Sequence, residues 1–273
     1  MQEEAGAPLN PRGYVGKMGT KGMKLGVRSG EGAVREVAAA LLDERGGGGC
    51  VPPTALVELE HRALQAGGGG GGLSRSVSVG NIAASFAPAL NMTPSSSRRT
   101  SSRTAEPQSQ GQLGSLQAFV RSEGVAGDYG ARIFPVDEVQ KVALLDIRFL
   151  NLDRHDANIL ISQGHTEGAP AFTLTPIDHG NILPDTLQVM DYEWVWMEWP
   201  QVRQPLTEDC RRAVARMDPA ADAAFLDASL GIRSACLTAA RLSTVLLKQG
   251  VGAGLCLHEI ATMIVRESEE EAS

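Results

Sequence analysis

The chain has 273 residues, 42% of them hydrophobic, which is enough apolar material for a packed globular core. Its formal net charge of −7 at pH 7 argues against nucleic acid as a partner, because such binding rests on many contacts between basic side chains and phosphates. No apolar run approaches the roughly 20 residues of a membrane-spanning helix, and the first residues lack the basic and apolar parts of a signal peptide. We therefore expect a cytoplasmic protein with peripheral membrane contact at most, and a nuclear location stays open.

The first part of the chain predicts a helix and a strand. Apolar side chains recur at helical spacing over residues 31–45, and Gly46 ends this run. They are Val34, Val37, Ala38, Leu41 and Leu42. After a Pro-Pro turn, Val57 and Leu59 alternate with polar residues, which predicts a short strand.

Residues 67–110 break the globular pattern. Six consecutive glycines are followed by a stretch rich in Ser, Arg, Thr and Pro, and this composition predicts a disordered insertion. The insertion divides the chain into residues 1–66 and 111–266, and an acidic tail follows at 267–273.

The next region predicts a mixture of strands and a helix. Gln117–Val120 fits a short strand, and Val136–Leu145 fits a helix. Asn158–Ser162 and Phe172–Ile177 are β-like runs joined by a polar turn, so we expect a hairpin.

From Thr207 onward the pattern is helical. Two amphipathic helices are predicted at Ile232–Lys248 and Gly254–Arg266. The end signals are Thr207 and Asp218 as N-caps, Pro219 in a first turn and Gly250 as a C-cap. Strands first and helices last predict an α+β fold with a mostly helical C-terminal lobe.

The candidate catalytic and metal-binding residues lie in two segments: D-R-H-D-A-N, which starts at Asp153, and I-D-H-G, which contains Asp178. Phosphoryl transfer from a nucleotide needs an acidic residue beside the attacking hydroxyl and oxygen ligands for Mg²⁺. Asp153 suits the first role, and Asn158 with Asp178 suits the second, because Mg²⁺ prefers one or two carboxylates completed by phosphate oxygens and water. The predicted hairpin brings Asn158 close to Asp178. The pattern therefore predicts a kinase-type phosphotransferase.

Neighbouring polar residues leave alternatives open. Asp146 either braces the loop or caps the preceding helix. His155 either assists proton transfer near neutral pH or makes a structural hydrogen bond, and for His179 the structural role is favoured. A rival interpretation takes His155 and Asp156 as the metal dyad of a helical phosphohydrolase. That site needs further histidines on flanking helices, but His61 and His165 are poorly placed for that role and β-like runs surround the dyad.

The chain resembles the plant and algal gamma-type phosphatidylinositol 4-kinase family, within the phosphatidylinositol 3-/4-kinase superfamily. The resemblance runs from about Pro8 to Arg266 apart from the insertion, and the D-R-H-x-x-N and I-D-H-G motifs are superfamily signatures. The other similar segments are N-P-R-G-Y-V-G-K (10–17), R-E-V-A-A (35–39), V-P-P-T-A-L-V (51–57), G-S-L-Q-x-F-V (114–120), L-D-I-R (145–148) and E-W-x-x-x-x-W-P-Q (193–201).

The resemblance implies a protein-kinase-like fold that uses ATP and Mg²⁺ to phosphorylate the 4-hydroxyl of a membrane phosphatidylinositol lipid. It implies Asp153 as the catalytic aspartate, Asn158 and Asp178 as metal ligands in the nucleotide site, and Glu36 as the carboxylate that pairs with an ATP-binding lysine. Residues 1–66 would then be a partial N-lobe, and residues 111–266 the hinge and C-lobe.

One part of the family pattern has no counterpart in this chain. In the family, the glycine-rich nucleotide loop and the phosphate-gripping lysine precede the N-P-R-G-Y segment, which begins here at Asn10. We therefore expect an incomplete N-lobe and little activity from residues 1–273 alone. A Ser/Thr protein kinase of the same fold stays an alternative, with protein substrates open, and so does a catalytically dead pseudokinase or scaffold.

Two segments bear on the acceptor. Residues 5–30 contain five basic residues and no acid, which fits either contact with anionic lipid headgroups or a solvated loop. Trp194, Trp196 and Trp199 fit either a membrane interface or core packing, and core packing is favoured.

Overall fold

The computed structural model describes residues 19–22, 24–46, 48–60, 78–81, 112–164, 171–187 and 193–265. The helices in these ranges are α1 (Gly32–Gly46), α2 (Val136–Phe149), α3 (Glu208–Arg216), α4 (Pro219–Leu230), α5 (Ser234–Gly252) and α6 (Leu257–Ile264). The strands are β1 (Thr54–Glu60), β2 (Ser78–Asn81), β3 (Gln112–Gln117), β4 (Gly124–Val125), β5 (Asp153–Arg154), β6 (Ile159–Gln163), β7 (Phe172–Pro176) and β8 (Glu193–Trp194). The mixed α+β architecture with a helical C-terminal part is confirmed.

Three small sheets hold the described strands. β1 is the central strand of an antiparallel sheet with the order β2-β1-β3. A second antiparallel sheet has the order β4-β6-β7, and its β6–β7 pair is the predicted hairpin. β5 and β8 form a parallel pair that joins the D-R-H segment to the start of the tryptophan segment.

The predicted strand at Gln117–Val120 is wrong, because β3 ends at Gln117, opposite Thr54 of β1. The next backbone group, Ala118 N, donates to Pro53 O at 2.8 Å. Pro53 has no N–H with which to continue the ladder, so the two chains separate there.

The predicted disordered insertion at 67–110 is wrong at Ser78–Asn81, where the chain forms β2. These four residues pair antiparallel with Val57–Glu60 of β1. The pairing covers backbone groups that an edge strand would leave unpaired. The rest of the insertion lies outside the described residues.

The helix predicted over residues 31–45 is confirmed as α1, which packs on a hydrophobic cluster shared with α2, α4 and α5. Ala38, Ala39 and Leu42 are buried, whereas Val34 and Leu41 of the predicted face are only partly buried. The helix predicted at Val136–Leu145 is also confirmed, and it continues to Phe149. Its residues form the centre of the larger core, with the tryptophans, β6 and β7 around them.

The N-caps predicted at Thr207 and Asp218 are confirmed, whereas the helices predicted from Ile232 and from Gly254 begin at Ser234 and at Leu257. The Thr207 side chain accepts a hydrogen bond from Cys210 N, and Asp218 accepts from Ala220 N and Ala221 N. These bonds satisfy amide groups that have no partner inside the first turn of a helix. Pro219 occupies the first turn of α4, as predicted.

Gly250 was predicted as a C-cap and is instead inside α5, which ends at Gly252 with Ala253 as its C-cap. A Cβ atom at Gly250 would lie 2.6 Å from Ile260 Cγ1, and Ile260 is fully buried in α6. The glycine is therefore required by the close approach of α5 and α6, which the sequence pattern did not reveal.

Gly250→Ala is expected to destabilise the fold by about 1–3 kcal/mol through overpacking, although alanine favours a helix. Gly252→Ala is the matched control on the same helix, because a Cβ there would have no atom within 4 Å. It should be neutral or stabilise by up to about 1 kcal/mol. Chemical denaturation of both variants measures the difference, and equal effects would contradict the packing argument.

Candidate active site

The candidate catalytic aspartate lies on a loop between α2 and β6. Leu150 ends α2 in a left-handed conformation with φ +52°, which turns the chain toward β5. Asp153 N donates to the Asn151 side chain at 2.9 Å, and Asn181 Nδ2 donates to Asp153 Oδ2 at 3.2 Å. The Asp153 carboxylate is 24% exposed, so it is oriented by neighbours and still open to a substrate.

A buried ion pair braces this loop. Arg154 Nε lies 3.1 and 3.0 Å from the two carboxylate oxygens of Asp146, and both side chains are almost fully buried. Asp146 also accepts from Asn151 Nδ2 at 2.8 Å and from Trp196 Nε1 at 2.9 Å. Asp146 lies within α2 and points to the loop, so bracing is the role that the contacts support.

The two segments that carry the predicted metal ligands contact the same arginine through backbone carbonyls. Arg154 Nη1 donates to Asn158 O and to Ile177 O, each at 2.7 Å. Ile177 N donates to Asn158 O at 3.0 Å, which extends the β6–β7 pairing by one step. Asp178 follows directly, so the hairpin brings the Asn158 and Asp178 segments together at its open end, as predicted.

Asp178 has an unusual backbone. Its φ of +56° is in the left-handed region, and its side chain is exposed. Such a conformation costs energy for a residue with a side chain, and it is found preferentially at functional sites. One oxygen of its carboxylate, Oδ1, lies 3.7 Å from the position of a Cβ on Gly180.

Glu36 of α1 faces the I-D-H-G segment. Its Oε2 lies 3.5 Å from His179 Nδ1, and its Oε1 lies 3.9 Å from the position of a Cβ on Gly180. His179 is fully buried, and neither ring nitrogen has a hydrogen-bond partner. Glu36, the carboxylate that the family resemblance implies, therefore lies beside the I-D-H-G segment that carries the candidate metal ligand Asp178.

Arg35, the neighbour of Glu36, ties α1 to the chain that follows I-D-H-G. Its Nη1 donates to Ile182 O and to Leu183 O, the latter at 2.6 Å, and the side chain is only 2% exposed. Arg35 Nη2 also contacts Glu31 at 2.5 Å, and Glu31 in turn binds Arg233 at 2.6 Å. This network fixes the helix that carries Glu36.

The Glu31 carboxylate makes this network sensitive to pH. Burial raises the pKa of Glu31, but the hydrogen bonds from Arg233 and Arg35 outweigh it and lower the pKa from 4.5 to about 2. The ionised Glu31 carboxylate therefore contributes its full stabilisation of the fold above pH 4.5. This contribution is lost as the pH falls toward 2, where Glu31 is protonated in the folded protein as well as in the unfolded chain.

We expect Glu31→Gln to lower the thermal unfolding midpoint at pH 7, and this difference from wild type should shrink between pH 4.5 and 2. Glu208→Gln is the control, because Glu208 is 72% exposed on α3. It should change the midpoint little at any pH. A Glu31 effect that persists undiminished at pH 2 would contradict the assignment.

The His155 side chain is exposed and makes no hydrogen bond or ion pair with another described residue, although its backbone carbonyl accepts from Asn158 N at 3.1 Å. Nothing supports the structural hydrogen bond, and its role in proton transfer stays a prediction. Asp156 starts a short 3₁₀ turn rather than lying on a helix. Within the described ranges, no three or more His, Cys, Asp or Glu side chains cluster as a metal site, so the phosphohydrolase interpretation gains no support.

The three tryptophans pack in the core, so the favoured interpretation is confirmed and the membrane-interface alternative is wrong. Trp194, Trp196 and Trp199 are each no more than 7% exposed. Trp194 Nε1 donates to Asn151 O at 2.5 Å, and Trp196 binds Asp146. The indole N–H groups of Trp194 and Trp196 therefore help to hold the loop that carries Asp153.

The basic segment at 5–30 is described only from residue 19, apart from Met23. Within residues 19–22 and 24–30 a bridge joins Lys21 to Arg28, and we call these residues the basic hairpin. At its turn, Lys24 Nζ lies 3.5 Å from Asp153 Oδ1. The contacts of Arg35 and Arg154 with the site were not predicted, although Arg154 directly follows Asp153 and Arg35 directly precedes Glu36.

The mixed helix and sheet architecture is consistent with a kinase-like domain, and the loop of Asp153 lies beside the open end of the β6–β7 hairpin. Residues 1–260 match the family described as phosphatidylinositol 3- and 4-kinase. The chain belongs to that family.

Curated relatives agree with this assignment. Phosphatidylinositol 4-kinase gamma 6 of Arabidopsis thaliana is 39% identical over 99% of this chain and 40% of that protein. Gamma 5 of the same plant is 37% identical over 99% of the chain and 39% of that protein. Gamma 4 of Oryza sativa subsp. japonica is 34% identical over the whole chain and 41% of that protein. The chain thus spans about 40% of the length of these relatives.

None of the described helices is both long enough and apolar enough to cross a lipid bilayer.

Proposed function

We propose that the chain is the catalytic part of an ATP- and Mg²⁺-dependent phosphatidylinositol 4-kinase. The observation that carries the proposal is the position of Arg154. Its guanidinium binds Asp146 on one side and the carbonyls of Asn158 and Ile177 on the other. One buried group thus orders the loop of Asp153, the amide at Asn158 and the start of the Asp178 segment.

The residues fit a magnesium ion that is completed by nucleotide. Asn158 Nδ2 donates to Asp153 O at 3.0 Å, so the side-chain oxygen of Asn158 is the atom left to act as a ligand. The Asp178 carboxylate is exposed on its left-handed turn. One amide and one carboxylate leave coordination positions for phosphate oxygens and water, which Mg²⁺ favours. When bound, the ion neutralises charge on the transferred phosphate.

The chain's own groups then have separate roles. Asp153 accepts a hydrogen bond from the acceptor hydroxyl and orients it toward the phosphate. As the new P–O bond forms and the bond to ADP breaks, the hydroxyl proton passes to the Asp153 carboxylate, and His155 assists this proton transfer. Glu36 positions an ATP-binding lysine, and the buried His179 ring packs against the Glu36 carboxylate. We further propose residues 1–66 as part of an N-lobe, 67–110 as an insertion, 111–266 as hinge and C-lobe, and 267–273 as a tail.

A lipid acceptor is favoured over a protein acceptor by the relatives, whose names specify phosphatidylinositol and the 4-position. An inositol lipid keeps its headgroup at the membrane surface. We therefore propose peripheral membrane contact during catalysis.

The test compares acceptors. The chain, and a version joined to the segment that precedes the matched region in the gamma 6 relative, are supplied with labelled ATP and Mg²⁺. We expect labelling of phosphatidylinositol in mixed micelles to be far faster than labelling of casein, with the phosphate on the 4-hydroxyl. The reverse preference would favour a Ser/Thr protein kinase. Nucleotide binding without transfer to either acceptor would favour a pseudokinase or scaffold.

A further inference from the structure

The basic hairpin has no part in the mechanism above, yet its turn reaches the catalytic loop. Lys24 Nζ is 3.5 Å from Asp153 Oδ1, and each of the two side chains is 24% exposed. The pair therefore lies at the opening of the site, where a substrate can approach both groups.

The hairpin is held in this place by backbone contacts. Ser29 N donates to Thr20 O at 2.9 Å, and Asp185 N donates to Gly26 O at 3.0 Å. Gly26 has a φ of +81°, and a Cβ atom there would lie 2.8 Å from Pro184 Cβ. The turn that presents the lysine is thus docked closely on the chain that follows I-D-H-G.

The ion pair between Lys24 and Asp153 adds little to the stability of the fold, because solvent screens the attraction between partly exposed charges. The distances within a phosphoryl-transfer site give the position of Lys24 a function. An acceptor hydroxyl lies about 3 Å from its catalytic carboxylate, and the phosphorus it attacks lies about 3.5 Å further on. An ammonium group on a flexible stem, 3.5 Å from that carboxylate, is within reach of the oxygens on this phosphorus.

We propose that Lys24 is a further catalytic residue, which leaves Asp153 when nucleotide binds and contacts an oxygen of the transferred γ-phosphate. Negative charge spreads over these oxygens during transfer, so a fixed positive charge there stabilises the transition state. This inference rests on the proposed kinase function. The phosphodiester of the acceptor lipid offers the same chemistry, and the test separates the two sources.

Calorimetric titration with MgATP and with MgADP tests the contact without requiring turnover. Lys24→Met should weaken MgATP binding by about tenfold or more and leave MgADP binding unchanged, since only MgATP carries the γ-phosphate. Lys24→Arg keeps the charge and should recover most of the lost affinity. Arg28→Gln is the matched control, because it removes an exposed charge from the same hairpin and should bind both nucleotides like wild type.

Unchanged MgATP affinity in Lys24→Met overturns the inference, and so does equal weakening of MgATP and MgADP. Sedimentation with phosphatidylcholine vesicles, with and without phosphatidylinositol, tests whether Lys24 instead contacts the phosphodiester of the acceptor lipid. If Lys24→Met loses only the phosphatidylinositol-dependent binding, the lysine contacts the lipid and the γ-phosphate contact is overturned. All of these variants are made in the version joined to the preceding segment of the gamma 6 relative. If the wild-type form of that version binds neither nucleotide, the kinase proposal itself is overturned, together with this inference.

Discussion

Asp178→Asn is expected to reduce phosphotransfer by about 10³-fold or more. It removes the only carboxylate that we assign to magnesium, and an oriented metal ion contributes several kcal/mol to transition-state stabilisation. Asparagine is the better replacement than alanine, because Asp178 has a φ of +56° and asparagine tolerates that conformation. The loss of rate is thereby separated from added backbone strain.

Asp156→Asn is the matched control for this experiment. Asp156 is an exposed carboxylate on the same catalytic loop, and it would be a ligand only in the phosphohydrolase interpretation. Both variants are assayed with labelled ATP and phosphatidylinositol, in the version joined to the preceding segment of the gamma 6 relative. We expect near-normal transfer from Asp156→Asn. Near-normal transfer from Asp178→Asn would remove that residue from the mechanism.

The main elements of the site could be predicted because their signals are local. Helical spacing located α1 and α2, and the two β-like runs that begin at Asn158 and Phe172 predicted the hairpin that brings the Asn158 and Asp178 segments together. Once a hairpin is known, its antiparallel register decides which residues meet at its open end. The positions of Asn158 and Asp178 therefore followed from the sequence.

The supporting contacts could not be predicted, because they join residues that are far apart in the chain. The ammonium of Lys24 reaches Asp153, and the guanidinium of Arg35 reaches the carbonyls of Ile182 and Leu183. No periodic pattern encodes such pairs. The burial of Gly250 against α6 was missed for the same reason, since a glycine near a helix end is usually a stop signal.

The location of the tryptophans could not be decided from composition alone. Amphipathic rings suit a membrane interface and a polar core equally well at the level of composition. Only the fold shows that Asp146 provides a buried acceptor for Trp196. The same carboxylate is the partner of Arg154, so the tryptophan segment and the catalytic loop depend on one buried charge.

Arg154→Met is accordingly expected to destabilise the protein by about 3–5 kcal/mol, because it leaves the buried Asp146 carboxylate without its counter-charge. Arg212→Met is the control: Arg212 pairs with Asp209 on α3, where the two side chains are 57% and 65% exposed, and its loss should cost no more than about 1 kcal/mol. Combining Arg154→Met with Asp146→Asn removes the unpaired charge, so the double variant should be more stable than Arg154→Met alone. Chemical denaturation measures all three. Equal, small losses from Arg154→Met and Arg212→Met would show that the catalytic loop holds its shape without the buried ion pair.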